Sequence, residues 1–216
     1  IKDTSQLFVA GPPVVERGFG KSVEKNELGG SHIHTNLSGA VDNEVASEEE
    51  AFQTIKKFLS YLPQNVWKIP PVMHCDDPPD RRDESLLSVI PRDRRQMYQV
   101  REIIESVTDA ESFFEINAGY GKSLVIGLAR LNGHAIGLMA NDTCFDGGAV
   151  TATASEKMMR FVDLCDTFHL PMVNLVDNPG FLIGVQAEED GTVRLGSRAL
   201  MAVYQSTIPW VSVIIR

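Results

Sequence analysis

Between residues 96 and 216 the apolar pattern changes period in a fixed order, and few architectures accept that order. Met97, Val100, Ile103, Ile104 and Val107 fall at helical spacing. Phe113–Ile116, Ser123–Ala129 and His134–Met139 read as three strands, and Asn132-Gly133 between the last two is a strong hairpin signal. The loop NDTCFDGGAVT then leads to a helix with Thr153 and Glu156 as a capping box and Met158, Phe161, Val162, Cys165 and Phe168 as its buried face. Pro171–Val176 is a near-continuous apolar run, as expected for a strand covered on both faces. Ser197 is expected to cap a helix through Leu200, Val203 and Tyr204, and WVSVII (210–215) reads as another buried strand. This order predicts an α/β fold with right-handed crossover units and a parallel core sheet.

The first 62 residues form a separate block. SQLFVAG (5–11) reads as a strand stopped by Gly11-Pro12-Pro13, with Val14-Val15 opening a short helix. A polar loop, NELGGSHIHTNLSG (26–39), follows. Ser47-Glu48-Glu49-Glu50 supplies a capping box for a helix whose stripe is Ala51, Phe52, Ile55, Phe58, Leu59 and Leu62, ended by Pro63. Residues 63–95 change character: six prolines lie among Asp and Arg, which excludes helix and central strand and predicts an extended connector. Asp76, Asp77, Asp80, Arg81 and Arg82 read as its solvated face.

Charge and composition exclude several functions. A net charge of −9 argues against a nucleic-acid surface, although a local patch can still hold a small anion. No apolar run reaches the roughly 18–20 residues of a membrane-spanning helix. Cys75, Cys144 and Cys165 form no CxxC pair and suit reduced thiols in a cytosolic or organelle-matrix protein, with Cys165 in the core. GxSxG and HExxH are absent. GYGKS (119–123) lacks the phosphate-loop spacing and precedes a strand instead of a helix. His32 and His34 alternate as in a strand and could face one side, but no third ligand completes a metal set.

Three Gly-bearing loops remain as candidates: Asp146-Gly147-Gly148-Ala149, Asp177-Asn178-Pro179-Gly180-Phe181 with Gly184 beyond it, and Gly29-Gly30 with His32 and His34. Each can be an ordinary turn, because Gly is the default turn former, or a place where backbone approaches a ligand. Crossover folds put ligands at the carboxyl ends of their strands, which is where the first two loops fall. Backbone-rich loops there suit the stabilisation of an oxyanion by N–H donors.

Taken together, KDTSQLFVAGPPVV, ELGGSHIHTNLSGAV, LSYLP, CDDPPDR, DAESFFEINAGYGKSLVIGLARLNGHAIGLMAND, VDNPGFLIG and GTVRLGSRALMAVYQSTIPWVSVIIR follow one another in an order that resembles the carboxyltransferase β subunit of biotin-dependent acyl-CoA carboxylases, of the propionyl-CoA carboxylase type. The resemblance implies two tandem crotonase-like domains, each a ClpP/crotonase spiral of ββα units, usually assembled as a homo-hexamer. Residues 1–62 would end the first domain, 63–95 connect, and 96–216 begin the second. The start at Ile1 and the stop at Arg216 directly after a strand lead us to expect a fragment.

The implied activity is transfer of a carboxyl group from carboxybiotin to the α carbon of a short-chain acyl-CoA, propionyl-CoA first, through a thioester enolate. Biotin would arrive on a biotin carboxyl carrier served by a biotin carboxylase subunit, with no metal in this subunit and no nucleic-acid or membrane partner. Location would be cytoplasmic, or the mitochondrial matrix in a eukaryote. The family's two oxyanion glycine pairs are expected outside residues 1–216, so no catalytic donor is assigned within the chain. Asp177, Asn178, Pro179, Gly180, Phe181, Gly184, Gly147, Gly148 and Ala149 are expected as pocket wall, with Gly29, Gly30, His32 and His34 near it. Two alternatives stay open: a biotin-independent crotonase-like decarboxylase or hydratase, and an inactive assembly piece.

Overall fold

The structure is a computed structural model that describes residues 1–78, 80–93 and 95–216; Pro79 and Arg94, both in the expected connector, lie outside the described residues. It resolves into two compact units. The first comprises Ile1–Lys56 with Asn117–Tyr120, and the second Lys57–Ile116 with Gly121–Arg216.

In the first unit, helix α1 (Pro12–Phe19) starts at proline, whose missing N–H costs nothing in a first turn. The expected strand at 5–11 does not form. Residues opposite it wind into helix α2 (Lys25–Gly29) and a π-helical turn at Ile33–Leu37, leaving no extended edge to pair with. Among the described residues, what remains of strand pairing there is an isolated bridge, Gln6 to Gly30, and the Leu7 N–H bond to the Gly29 carbonyl at 2.9 Å. His32 and His34 therefore sit two residues apart on a helical turn and do not share a side as strand alternation would have required. Helix α3 (Glu48–Ser60), whose last residues from Lys57 count with the second unit, has the expected cap. Ser47 Oγ accepts from the Glu50 N–H at 3.2 Å, and the Glu50 carboxylate reaches back to the Ala46 N–H at 2.8 Å. Of the helix's apolar stripe, only Phe58 and Leu62 pack on a core; Phe52, Ile55 and Leu59 stay exposed.

The second unit holds helix α4 (Val100–Val107), strands β1 (Phe114–Ile116), β2 (Leu124–Leu131) and β3 (His134–Asn141), and helix α5 (Ala152–Thr167). These are followed by β4 (Met172–Val176), helices α6 (Val185–Glu189) and α7 (Thr192–Gln205), and β5 (Trp210–Ile214). The sheet runs in the order β1-β2-β3-β4-β5. β1, β2 and β3 pair antiparallel, and β3, β4 and β5 pair parallel through the helical crossovers, so the parallel core begins at β3. Asn132 and Gly133 both take positive φ, 49° and 78°, as a tight hairpin turn requires. The Asp109 carboxylate accepts both of their N–H groups at 2.7 Å, which pins the turn to the end of α4.

Period-two alternation divides the core in two. Leu124, Ile126, Leu128 and Met139 face Phe161, Val162 and Cys165 of α5, while Val125, Leu138, Ala140 and Leu175 face Val100, Ile103 and Ile104 of α4. Each fully buried side chain such as Phe161 or Leu128 contributes about 1.5–3 kcal/mol of transfer free energy.

Four local expectations are corrected. Thr151, not Thr153, caps α5, accepting from the Ala154 N–H at 3.0 Å, because the helix begins two residues earlier. Ser197 is interior to α7 and donates back to the Val193 carbonyl at 2.7 Å; Gly191 is the N-cap. β5 forms but is not buried: Val211, Val213 and Ile214 are exposed on a strand paired along one edge only. The expected solvated connector face is corrected at one residue: Asp77 is half-buried, whereas Asp76, Asp80, Arg81 and Arg82 are exposed. Arg81 pairs with Asp77 at 2.9 Å and donates to the Ser106 and Thr108 carbonyls at the end of α4, satisfying acceptors a helix terminus leaves open.

Candidate active-site wall

Two of the three sequence-selected loops come together, and the chain ends of the parallel strands do it. β3 ends on Asn141, after an apolar run that leaves its polar side chain at the carboxyl end of the sheet. Asn141 Nδ2 donates to the Gly148 carbonyl at 3.1 Å, and its Oδ1 accepts from the Asp177 N–H at 3.2 Å. One buried amide thus ties the loop after β3 to the loop after β4. Farther along, Val150 and Phe181 form a parallel bridge, with the Val150 N–H on the Gly180 carbonyl and the Leu182 N–H on the Val150 carbonyl, both at 3.0 Å. Gly148 makes this approach possible, since a Cβ there would lie 2.6 Å from the Asp177 carbonyl oxygen.

Within the second loop, Asn178 Oδ1 accepts from the Gly180 N–H at 2.7 Å, an Asx turn that closes the Asn-Pro-Gly bend. The Phe181 ring rests against α7 at Gly196, where any Cβ would come within 2.4 Å of it. Asn178, Pro179, Phe181, Ile183 and Gly184 are exposed, whereas Gly148, Ala149 and Asp177 are buried. The paired loops therefore present an open backbone rim over a packed base. The N–H groups of Gly148 and Ala149 are spent on the Phe145 and Asp146 carbonyls. Together with those of Val150, Gly180 and Leu182, already accounted for, these donors are engaged inside the chain.

The base carries charge. The Asp142 carboxylate is 1% exposed; it accepts from Arg101 at 2.7 Å and from the Cys144 N–H at 3.0 Å. Arg101 also grips Glu115, at 2.8 and 2.5 Å, and hydrogen bonding to Glu115 pushes the guanidinium pKa still higher, so it stays charged. Burial, and then the negative charge of Asp142, push the Cys144 thiol up, which is the opposite of what an activated nucleophile needs. Asp177 Oδ2 accepts from the Tyr98 hydroxyl at 2.9 Å and from Arg216 Nε at 2.8 Å. Burial, followed by the hydrogen bond to Asp177, pushes the Tyr98 phenol up, so it remains a donor at neutral pH.

The third loop lies in the first unit. Gly29 abuts the Leu7 carbonyl and Gly30 abuts Asn26, close approaches that leave no room for a Cβ. The His34 ring bridges Ser38 Oγ at 3.1 Å and the Leu7 carbonyl at 2.7 Å; His32 lies 3.3 Å from Asn36. Among the described residues, one group has metal-ligand spacing, Cys75, Asp77 and Asp109. Its carboxylates already serve the fold: Asp77 holds Arg81 and the Ala110 N–H, and Asp109 holds the hairpin turn. Sequence reasoning missed Tyr98, Arg101, Asn141, Asp142 and Arg216. The available signal was a polar residue at the end of an apolar run, as Asn141 with Asp142 and Arg216 are.

Comparison with known proteins places this geometry in context. The family described as the carboxyl transferase domain matches residues 1–216. The chain is 38% identical over 216 residues to the propionyl-CoA carboxylase carboxyltransferase subunit of Haloferax mediterranei, covering 100% of this chain and 42% of that one. It is also 38% identical to the mitochondrial propionyl-CoA carboxylase beta chain of Homo sapiens, covering 40% of it. A crystal structure of transcarboxylase 12S, a hexamer with hydrolysed methylmalonyl-CoA bound, superposes with a TM-score of 0.91 at 35% identity over 97% of this chain and 40% of that one. The mixed α/β, crotonase-like fold expected from sequence is the fold observed. The chain spans about two fifths of the length of these relatives.

Proposed function

The chain belongs to the carboxyl transferase domain family, and on that premise we propose that it supplies one wall of a biotin-dependent carboxyltransferase site that acts on a short-chain acyl-CoA. The observation that carries the proposal is the lacing of the 146–149 loop to the 177–184 loop at the carboxyl ends of β3 and β4, through Asn141 and the Val150–Phe181 bridge. Ligands of crossover folds bind at that edge.

The wall suits a neutral, planar ureido ring. Gly147, Gly180 and Gly184 have positive φ and open space where a Cβ would stand, so a flat group can lie against bare backbone. Biotin, when bound, carries the carboxyl group to be transferred. Residues of this chain shape the site, exclude water from its base and hold the loops in register. The N–H groups of Gly148, Ala149, Val150, Gly180 and Leu182 are used internally, and the donors that stabilise the enolate oxyanion are proposed to lie outside residues 1–216, as the family resemblance implies. Propionyl-CoA is the proposed acceptor, by similarity to the two relatives named above. A homo-hexamer and a biotinylated carrier partner are proposed likewise, with residues 1–62 closing a first domain, 63–95 joining, and 96–216 opening a second. Gly29, Gly30, His32 and His34 are proposed to border the site from the first domain. The cytoplasm or the mitochondrial matrix is the proposed location.

The test is carboxyl exchange by the full-length protein that carries this segment. Methylmalonyl-CoA should transfer its carboxylate to the biotinylated carrier, and avidin should abolish the transfer. Turnover of acyl-CoA that avidin leaves untouched would instead identify a biotin-independent decarboxylase or hydratase.

A further inference from the structure

The carboxyl end of the sheet is cross-tied by one buried acidic residue. Asp177 is the last residue before the Asn-Pro-Gly bend, and its side chain is 12% exposed. A single oxygen, Oδ2, receives both the Tyr98 hydroxyl at 2.9 Å and Arg216 Nε at 2.8 Å. Arg216 follows β5, and its guanidinium carbon lies 5.1 Å from the Tyr98 ring centroid, stacked as a cation on an aromatic face. The same guanidinium donates through Nη1 to the Gln96 carbonyl at 3.1 Å, and the Ile215 N–H meets the Val176 carbonyl at 2.8 Å. On its other side Asp177 donates its backbone N–H to Asn141. The ends of β3, β4 and β5 and the segment entering α4 thus converge on one residue.

We propose that Tyr98 and Arg216 are positioning residues for carboxyl transfer, holding the 177–184 loop, the carboxyl end of β5 and the segment entering α4 at one fixed spacing. The inference rests on the reading of that loop as pocket wall. The physical reason is preorganisation: a wall carried by neighbouring strand ends favours a developing charge only if it does not relax when the charge forms. A carboxylate shared by two donors from different elements fixes that separation better than packing alone. Hydrogen bonds to charged groups are the strong class, and Arg supplies a rigid fork that Lys lacks.

The experiment uses the full-length carboxyltransferase with its biotinylated carrier. Tyr98→Phe and Arg216→Met are each expected to lower kcat about tenfold, the size of one lost hydrogen bond to a charged group. KM for the acyl-CoA should move less than about threefold, since neither side chain reaches the rim. The double variant should be no slower than Arg216→Met alone by more than about twofold, because both residues act through Asp177. Arg216→Lys should recover part of the rate. Tyr98→Phe removes one oxygen and preserves packing, so it reports even where Arg216→Met fails to assemble.

A folded, assembled Tyr98→Phe enzyme that keeps kcat within about twofold of the parent, whatever its melting temperature, would overturn the inference. Ile183→Ser, a change on the exposed part of the loop, separates the two readings. If it raises KM while the Tyr98 and Arg216 variants change nothing, the pocket stands and the positioning role falls. If Ile183→Ser also changes nothing, the pocket reading fails and the positioning role with it.

Discussion

Gly148→Ala should destabilise the full-length protein by about 3–4 kcal/mol and remove most carboxyl transfer, while Gly147→Ala next door should cost about 1–2 kcal/mol. Both residues are left-handed, with φ of 80° and 61°, and either substitution bears the strain of placing a Cβ in that region. They differ in what the Cβ meets. At Gly147 there is nothing within 4 Å, whereas at Gly148 it stands 2.6 Å from the Asp177 carbonyl oxygen. The neighbour is backbone, so relief requires separating the two loops. That separation would stretch the Asn141 bonds to Gly148 and Asp177 and the Val150–Gly180 bond. Chemical denaturation of the pair of variants, read beside their transfer rates, checks the contrast. Equal losses at both positions would mean that the loops are not in contact.

Removal of the Arg101 guanidinium is the other large change, with an expected loss of roughly 2–4 kcal/mol for Arg101→Met. Asp142 is 1% exposed and, among the described residues, would be left with the Cys144 N–H as its partner, so its charge would be stranded in a low-dielectric base. Because Arg101 itself is one-third exposed, the figure sits below that of a fully buried pair. Asp142→Asn added to Arg101→Met should restore part of the loss, since a neutral amide tolerates the same burial. Melting curves of the single and double variants decide it; a purely additive result would show that the two groups do not interact.

These two sites mark what the sequence made legible and what it did not. The α/β alternation, the Asn132-Gly133 hairpin, the α5 face and the two loops at strand ends were readable, because each is written in residues adjacent along the chain. So was the family resemblance, since it rests on ordered local motifs. The groups that lace the loops were not. Asn141 meets Gly148 and Asp177, Arg101 meets Glu115 and Asp142, and Tyr98 meets Asp177 and Arg216. Most of these partners are separated by tens of residues and are brought together only by sheet order.

Other misreadings share a physical cause. SQLFVAG has strand propensity but no extended edge to pair with, and WVSVII is apolar enough for a buried strand yet has a neighbour on one side only. Propensity states what a segment can do, and the partner surface decides the outcome. The Thr151 cap was missed because Thr151 and Thr153 are both competent, and the start of the helix is set by where the 146–149 loop releases the chain.

The central claim is that the 146–149 and 177–184 loops together wall a site for acyl-CoA and biotin. A crystal structure of the full-length protein with propionyl-CoA and biotin bound tests it most directly. The account predicts a ligand atom within about 4 Å, ordinary contact distance, of both Gly147 and the Asn178–Gly184 rim. Ligands bound on another face of the sheet, with both loops in solvent, would contradict it.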